Sequence, residues 1–386
     1  MKIAYCLPSL YISGGMERVL TLKANYFAEA FNYEIFIILT DGKGMKPYYP
    51  LSPKIHVINL DLNFNHINGQ PLLKKAFHFY LKQRKYKKRL KKCLTDIKPD
   101  ITVSMLRREI NFINSIHDGS KKIGEIHINK DNFRDFKSDH SVSFIKNKLA
   151  KIWMIQLIRE LKKLDQFVVL SNEDKNKWHE LDNVLVINNP LPFFPKQTAE
   201  CVNRQALAVG RFAYQKGYDF LIEAWSIVAA KHPDWIIRVF GDGDKKQYQE
   251  QIDRLNLQET CILESATPNI IDKYLESSLF VLSSRFEGFG MVIAEAMACG
   301  VPAVSFTCPC GPRDIIKDKE DGFLVEMGDV EEMAEKIIYL IEHDIERKVM
   351  GQNARLNSER FRIEKIAGQW KTLFENLLDS NDKNNS

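Results

Sequence analysis

Short apolar segments alternate with longer segments of helical character along most of this chain, and this alternation restricts the fold more than any other feature. Short apolar runs of this kind, bounded by polar or turn residues, are typical of buried strands. Regular βα alternation predicts an α/β fold with parallel sheets that carry helices on both faces. The candidate strands are Lys2–Leu7, Glu34–Leu39, Ile55–Asn59, Ile101–Ser104, Lys122–Ile128, Phe167–Leu170, Val184–Ile187, Leu207–Val209, Ile236–Phe240, Leu279–Leu282 and Ala303–Ser305.

A proline-containing loop, residues 188–202, interrupts the alternation, which restarts at Leu207. The chain has 386 residues, which is long for one ordinary core. We therefore predict one doubly wound domain over residues 1–192 and a second over 193–362. A helix of about residues 363–378 and a polar tail complete a C-terminal segment, 363–386. In such sheets nucleotides bind at the carboxyl ends of the strands, which predicts a cleft between the two domains.

The charge is divided unevenly between the two halves. Residues 1–192 contain 32 Lys and Arg and 19 Asp and Glu, a net charge of +13, whereas the rest contain 23 and 31, a net charge of −8. A basic half joined to an acidic half indicates that only the first meets an anionic surface.

The remaining bulk properties indicate a cytoplasmic protein. No apolar run approaches the roughly 18 residues of a membrane span, and the first strand-like run is interrupted by Pro8, unlike a signal peptide. The seven Cys are dispersed and odd in number, which predicts free thiols in a reducing compartment. Cys308 and Cys310 flank a proline in a turn-like context without further metal ligands nearby, so we expect no metal site.

Two carboxylates, Glu287 and Glu295, lie either side of a predicted strand–loop–helix junction. Gly288 and Gly290 let the backbone approach a ligand closely, and the helix that follows offers free N–H groups to an anion. Eight helical residues rise about 12 Å, too far for the facing carboxylates of a glycosidase. The two side chains are therefore expected to touch different parts of one long ligand. The alternative is a loop charge and a residue placed by the helix dipole.

This stretch resembles the Glu-x7-Glu signature of the family 4 retaining glycosyltransferases, which have the GT-B fold of two Rossmann-like domains facing a central cleft. Further matches occur in the family's order along nearly the whole chain. They are the first strand with Gly14-Gly15, the strand 168–171, Asn189-Pro190, Gly210-Arg211 with Lys216-Gly217, and Gly241-Asp242-Gly243.

The resemblance implies a role for each matching residue. Glu287 faces the donor sugar and Glu295 holds the ribose hydroxyls. Arg211 and Lys216 bind the diphosphate, where fixed cations stabilise the charge of the leaving group without a metal; the alternative is that both are solvated surface residues. The remaining donor contacts are Gly15 and the backbone of Gly288, Phe289, Gly290 and Met291.

In the first half, the resemblance places His127 beside the reacting sugar, with Glu287 the second catalytic candidate. A structural, hydrogen-bonded histidine is the alternative. Gly14, just before the predicted helix from Glu17 to Ala30, is expected on the acceptor side. Glu17 itself is equally well explained as a residue favoured by the helix dipole.

The implied activity is retaining transfer of a hexosyl or N-acetylhexosaminyl group from a nucleoside-diphosphate sugar, most simply a UDP-sugar, to a glycan or lipid-linked acceptor. Capsule, lipopolysaccharide or exopolysaccharide assembly is the expected process, with no cofactor or metal. A nucleotide-sugar epimerase of the same fold and a non-catalytic nucleotide-sugar-binding subunit stay open. The loop 264–268 lacks the Gly that the family commonly carries behind the base, so the nucleotide is less firmly indicated.

One segment, residues 72–97, carries ten Lys and Arg among aromatic residues. Its apolar residues, from Leu73 and Phe77 to Leu94 and Ile97, form a helical stripe. A basic amphipathic helix can contact an anionic membrane surface, which predicts peripheral attachment to the inner face of a membrane. A solvated face of a helix that covers the sheet is the alternative. Charge alone does not indicate nucleic acid, and we expect none.

Overall fold

The chain forms two α/β units in a computed structural model that describes residues 1–64, 72–133 and 144–382. The first unit contains Met1–Leu170, Asp174–Pro190 and Ile363–Ser386. The second contains Ser171–Glu173 and Leu191–Arg362. The chain thus leaves the first unit near the proline-containing loop and returns to it with its last helix.

The first unit is built on a seven-stranded sheet in which every pairing is parallel, in the order β3-β2-β1-β4-β5-β6-β7. Ile3 of β1 is aligned with Ile35 of β2 on one side and with Ile101 of β4 on the other. The strand order reverses between β1 and β4, the position where ligands bind to open α/β sheets. The strands are β1 (Lys2–Leu7), β2 (Glu34–Leu39), β3 (His56–Asn59), β4 (Ile101–Ser104), β5 (Lys121–Glu125), β6 (Gln166–Val169) and β7 (Val184–Val186).

Helices cover both faces of this sheet. On one face α1 and α12 pack over Tyr5, with Phe27 of α1 in edge contact with Phe374 of α12 at 5.8 Å. On the other face α2 and α3 pack over Cys6, through residues such as Tyr86 and Leu157. The described helices of this unit are α1 (Gly15–Ala30), α2 (Leu72–Ile97), α3 (Phe144–Leu161) and α12 (Ile363–Asp382), with short 3₁₀ helices at Glu109–Asn111, Ile113–Ser115 and Lys130–Asn132. Helix α4 (Asn172–Lys177) belongs to the first unit from Asp174 onward and to the second unit before it.

The second unit has a six-stranded parallel sheet, in the order β10-β9-β8-β11-β12-β13. The order reverses between β8 and β11. The strands are β8 (Gln205–Val209), β9 (Ile236–Phe240), β10 (Cys261–Glu264), β11 (Leu279–Leu282), β12 (Ala303–Phe306) and β13 (Gly322–Val325). The helices are α5 (Tyr218–Lys231), α6 (Lys246–Arg254), α7 (Ile270–Leu275), α8 (Met291–Ala298), α9 (Pro312–Ile315), α10 (Val330–Glu342) and α11 (Asp344–Ser358), with 3₁₀ turns at Tyr214–Lys216 and Glu359–Phe361.

The predicted parallel α/β architecture is confirmed, and several strand bounds agree with the structure, among them β1, β2, β4, β9 and β11. Two strands were not predicted: β10, which is only partly buried, and β13, which begins with a glycine. The predicted strand 122–128 is too long. It ends at Glu125 because the chain turns after Ile126, whose N–H still donates to the carbonyl of Val168.

None of the seven Cys forms a disulfide, and all lie in the described part of the chain. Cys308 and Cys310 are both fully buried. Within residues 1–64, 72–133 and 144–382, no three His, Cys, Asp or Glu side chains are grouped as a metal ion would require. No helix in those same ranges is both long enough and apolar enough to cross a membrane.

Candidate donor site and the buried histidine cluster

The two loops that leave β8 and β11 lie against each other at the switch point of the second sheet. Gly217, the N-cap of α5, has φ +60°, and a Cβ there would lie only 2.1 Å from the carbonyl oxygen of Ser283. Only glycine permits both the left-handed backbone and this close approach. The contact brings Lys216, at the end of the first loop, to the beginning of the second.

Lys216 and Glu287 form an ion pair at this point, with Nζ and Oε1 2.7 Å apart. The hydroxyl of Ser284 donates to the same oxygen at 2.7 Å, and the Glu287 N–H donates to the carbonyl of Pro309 at 3.1 Å. Both side chains are largely buried, with 14% and 9% of their surface exposed. The carboxylate is therefore fixed in position by two side-chain donors.

Further contacts fix the two loops around this pair. The side-chain amide of Gln215 donates to the carbonyl of Phe286 at 2.9 Å, and the N–H of Arg285 donates to the carbonyl of Gln215 at 2.8 Å. The Arg285 guanidinium makes a forked ion pair with Asp219, with bonds of 2.8 and 2.5 Å. Its hydrogen bond to Asp219 raises the pKa of Arg285. A bidentate pair of this kind restricts both partners.

The Glu287 loop continues into α8 through Gly290, the helix N-cap, at φ +91°. The first N–H groups of a helix have no partner within the helix, so Gly290 and Met291 can present main-chain donors to an anion, with Gly288 in the loop just before them. Phe289 differs from them in its side chain, which is buried and in edge contact with Phe361 at 5.5 Å. Its side chain belongs to the core, and only its backbone is available to a ligand.

Glu295 lies in α8 and is 2% exposed. The hydroxyl of Tyr274, a fully buried residue of α7, is 3.2 Å from its Oε2. Neither Tyr274 nor Ser284 was predicted from the sequence as a site residue. The position of Ser284 three residues before Glu287 is a weak signal for it, whereas nothing in the sequence marks Tyr274.

Arg211 follows β8 and is exposed, and its guanidinium makes no hydrogen bond or ion pair with any residue that the structure describes. The second unit thus combines a fixed carboxylate, a cation paired with it, a cation without a partner and main-chain donors. Lys216 and Glu287 are in direct contact. Glu295 lies on α8, the helix that follows the Glu287 loop.

The first unit has Gly14 and Gly15 at the N-terminus of α1. Gly14 is the N-cap, and a Cβ there would lie 1.9 Å from the Oε2 of Glu17, so the Glu17 carboxylate lies over this glycine. A Cβ at Gly15 would have no atom within 4 Å. The start of α1 is therefore covered by its own acidic residue at Gly14 and open at Gly15.

His127 follows β5, and 7% of its side chain is exposed. Its Nε2 is 3.0 Å from Oε1 of Glu125, which also accepts a hydrogen bond from Lys23 of α1. Lys23 and Glu125 are each 1% exposed. Burial alone would raise the pKa of Glu125, but Lys23 and His127, which both hydrogen-bond to it, hold the pKa at about 2. Burial lowers the pKa of Lys23, against the influence of Glu125.

The basic helix α2 differs from the predicted continuous stripe. Its second half packs on the sheet through Tyr86, Leu90 and Leu94, all fully buried. Phe77 and Tyr80 in the first half are 60% and 58% exposed. The predicted stripe therefore divides into a core face and an exposed aromatic end.

The cations of α2 also divide into two groups. Lys82 donates to the carbonyl of Leu62 at 2.7 Å, and Arg89 to that of Asp61 at 3.0 Å, so these two fix the segment that follows β3. The others whose side chains are described are exposed: Lys74, Arg84, Lys85, Lys87, Lys88, Lys91 and Lys92.

Two doubly wound parallel units in one chain, the second with basic and acidic side chains at its switch point, define the architecture of the GT-B glycosyltransferases. A family model described as glycosyl transferases group 1 matches residues 194–357, which lie within the second unit. The chain also resembles solved structures over nearly its whole length. A Staphylococcus aureus TarM variant in complex with UDP and α-GlcNAc-glycerol has a TM-score of 0.75, at 19% identity, over 97% of this chain and 99% of that one. Anabaena HepE in complex with UDP has a TM-score of 0.73, at 16% identity, over 97% and 100%.

Curated relatives agree with the fold. An uncharacterized glycosyltransferase of Haemophilus influenzae is 28% identical over 375 residues, 96% of this chain and 99% of that protein. The amylovoran biosynthesis glycosyltransferase AmsD of Erwinia amylovora is 34% identical over 54% of this chain and 62% of its own length. The poly(ribitol-phosphate) α-N-acetylglucosaminyltransferase of Staphylococcus aureus is 30% identical over 68% and 52%. The chain is a glycosyltransferase of the GT-B fold, and these relatives give no support to the epimerase alternative.

Proposed function

We propose that this glycosyltransferase transfers a hexosyl or N-acetylhexosaminyl group from a UDP-sugar, with retention and without a metal, to a glycan or lipid-linked acceptor in the assembly of a bacterial surface polysaccharide. The observation that carries the donor site is the fixed Glu287 carboxylate paired with Lys216 at the switch point of the second sheet. UDP in the TarM and HepE complexes supports the nucleotide. The names of AmsD and of the poly(ribitol-phosphate) enzyme support a surface polymer as acceptor.

In this proposal the second unit binds the donor. Lys216 and Arg211 neutralise the diphosphate, and the main-chain N–H groups from Gly288 to Met291 bind its oxygens. Glu295 accepts hydrogen bonds from the ribose hydroxyls, and Glu287 accepts them from the sugar. The first unit binds the acceptor and supplies His127, with Gly15 on the donor side and Gly14 on the acceptor side.

The environment of Glu287 favours binding over nucleophilic attack. One of its oxygens accepts hydrogen bonds from both Lys216 and Ser284, which stabilises the carboxylate and makes it a weaker nucleophile. We therefore propose that the acceptor attacks from the face of the leaving group and that a diphosphate oxygen accepts its proton. Lys216 and Arg211 stabilise the negative charge that develops on the departing diphosphate.

Calorimetric titration with UDP and GDP tests the donor site. We expect wild-type protein to bind UDP in EDTA and Glu295→Ala to bind it at least about tenfold more weakly, since a buried group that pairs with the ribose is lost. Absence of binding, or binding only after Mg²⁺ is added, contradicts the proposed site. Proton NMR of the first transferred sugar then gives the anomeric configuration of the product, and inversion contradicts the retaining mechanism.

We also propose that the first unit contacts an anionic membrane surface through α2 and α3. Phe77, Tyr80, Arg84 and Lys88 follow one another at helical spacing on α2 and are exposed. Helix α3, which packs into the same core on this face of the sheet, exposes Trp153 and two isoleucines, Ile152 and Ile155. Exposed apolar side chains beside cations favour an interfacial membrane surface.

Co-sedimentation with vesicles tests this surface. We expect wild-type protein to sediment with phosphatidylglycerol vesicles and not with pure phosphatidylcholine, and R84E/K88E to lose most of this binding, since each cation near the surface contributes about 1 kcal/mol. K196E/K246E changes two exposed lysines of the second unit and is the matched control. Equal loss of binding in both variants indicates an effect of net charge alone and contradicts a specific surface.

A further inference from the structure

Three ionisable side chains of the first unit form one buried cluster, although Lys23 and Glu125 are 102 residues apart in sequence. Lys23 lies on α1, Glu125 ends β5, and His127 is two residues further on. Oε1 of Glu125 accepts from both Lys23 and His127, and its other oxygen, Oε2, has no hydrogen-bond partner among the described residues. At least nine-tenths of each side chain is buried.

The charges of this cluster cancel when His127 is neutral. A buried carboxylate or ammonium is costly unless it is paired, and here each is the partner of the other. The indole of Trp370, on α12, covers the Lys23 Nζ at 4.1 Å from the ring centre, which adds a cation–π contact in the buried site.

The Glu125 carboxylate decides which ring nitrogen of His127 carries the hydrogen. An ionised carboxylate accepts hydrogen bonds and cannot donate them. Nε2 of His127 faces Oε1 at 3.0 Å and must therefore be the protonated nitrogen. In neutral imidazole the other nitrogen, Nδ1, is then an acceptor. Nδ1 makes no hydrogen bond with any residue in the described part of the chain.

We propose that Glu125 is a positioning residue that holds His127 with its hydrogen on Nε2, so that Nδ1 accepts a hydrogen bond from a hydroxyl of the substrate. Lys23 and Trp370 keep the Glu125 carboxylate charged inside the unit. The inference rests on the proposed function, in which His127 lies beside the reacting sugar.

A double-mutant cycle separates this role from a purely structural one. It compares wild type, Glu125→Gln, His127→Asn and the double variant. UDP release from UDP-glucose and UDP-N-acetylglucosamine, with water as acceptor, measures turnover. We expect each single change to lower kcat about tenfold or more, and the double variant to be no slower than His127→Asn alone, because Glu125 acts through the imidazole. UDP affinity should stay within about twofold of wild type, since the proposed nucleotide contacts are in the second unit.

The tautomer is measured independently of activity, by long-range ¹H–¹⁵N NMR on protein labelled at histidine, with the His127→Asn variant assigning the signal. We expect one tautomer with hydrogen on Nε2 in wild type and a loss of that preference in Glu125→Gln. Glu125→Gln leaves Lys23 as an unpaired buried cation, so K23M/E125Q, which removes both charges, is measured beside it. Glu180→Gln, which removes the carboxylate paired with Lys130 in the same unit, is the matched control.

The outcomes distinguish the two proposals. An unchanged His127 tautomer in both Glu125 variants, or additive losses of kcat in the cycle, overturns the positioning role of Glu125. Wild-type turnover in His127→Asn instead refutes the proposed part of His127 in the reaction, while the NMR result still decides whether Glu125 fixes the ring.

Discussion

Lys216 and Glu287, 71 residues apart in sequence, form a largely buried ion pair with 2.7 Å between Nζ and Oε1. In the proposed function Glu287 binds the donor sugar and Lys216 binds the diphosphate attached to it. Because each holds the other, neither has to be ordered when the donor binds, and preorganised groups stabilise developing charge without the cost of reorganisation.

Loss of the Lys216 cation should weaken nucleotide binding. We expect Lys216→Met to lower UDP affinity about tenfold or more, since a hydrogen bond to a charged group contributes about 1.5–3 kcal/mol. Ser284 still donates to Oε1 of Glu287 in this variant. Calorimetry measures the affinity, and Lys246→Met, at an exposed position, is the control. Unchanged UDP affinity would show that Lys216 does not contact the diphosphate.

Loss of the Glu287 carboxylate should lower turnover strongly and change the affinity for the nucleotide little. We expect Glu287→Gln, which keeps the shape and removes the charge, to bind UDP within about threefold of wild type. Turnover of a UDP-sugar should fall about 100-fold, because the interaction with the sugar is strongest in the transition state. Release of UDP and UDP titration on the same preparation measure both quantities. A variant that loses nucleotide affinity and turnover equally contradicts this division of roles.

Tyr274 should support Glu295 without touching the ligand. Tyr274→Phe removes a hydroxyl that lies 3.2 Å from Oε2 of this buried carboxylate. We expect the free energy of unfolding of the second unit to fall by about 1–3 kcal/mol, the usual contribution of a hydrogen bond to a buried charged group. UDP affinity should fall less than in Glu295→Ala. Urea unfolding and calorimetry measure the two effects, and a greater loss of affinity than Glu295→Ala would instead place Tyr274 on the ligand.

The strand before Glu287 could be predicted from the sequence because its signals are local. Leu279–Leu282 has the bounds of β11, and Lys216, Glu287 and Glu295 stand in short motifs beside strand patterns. The pairings between them depend on the fold. Tyr274 reaches Glu295 from another helix, and Lys23 reaches Glu125 across 102 residues. Nothing near Lys23 in the sequence marks it as buried, since its position in α1 alone is equally compatible with a solvated face.

Two glycines with different surroundings should respond differently to alanine. At Gly217 the backbone is left-handed and a Cβ would lie 2.1 Å from the Ser283 carbonyl, so Gly217→Ala should destabilise the second unit by at least about 1–3 kcal/mol. At Gly15 a Cβ meets nothing within 4 Å, so Gly15→Ala should leave the melting temperature unchanged. If the Gly15 backbone approaches the donor closely, as the proposed function requires, kcat/KM of Gly15→Ala should nevertheless fall. Wild-type kcat/KM in Gly15→Ala would remove this glycine from the proposed site.

The paired Glu125 should give the first unit a characteristic loss of stability in acid. Lys23 and His127 hold the pKa of Glu125 at about 2 against the effect of burial, below the value of 4.5 expected for the unfolded chain. As the pH falls, the unfolded state therefore binds its proton first. The stabilisation is complete above about pH 4.5 and is lost as the pH falls toward about 2.

A pKa shift of this size contributes on the order of 3 kcal/mol to the free energy of unfolding. K23M/E125Q has no carboxyl group at this site, so its unfolding free energy should change less between about pH 5 and about pH 3 than that of wild type. Urea unfolding followed at a series of pH values measures the difference. Parallel pH dependences for the two proteins would show that Glu125 is not stabilised as a charged group. The proposed fixing of the His127 tautomer by an ionised Glu125 would then fail.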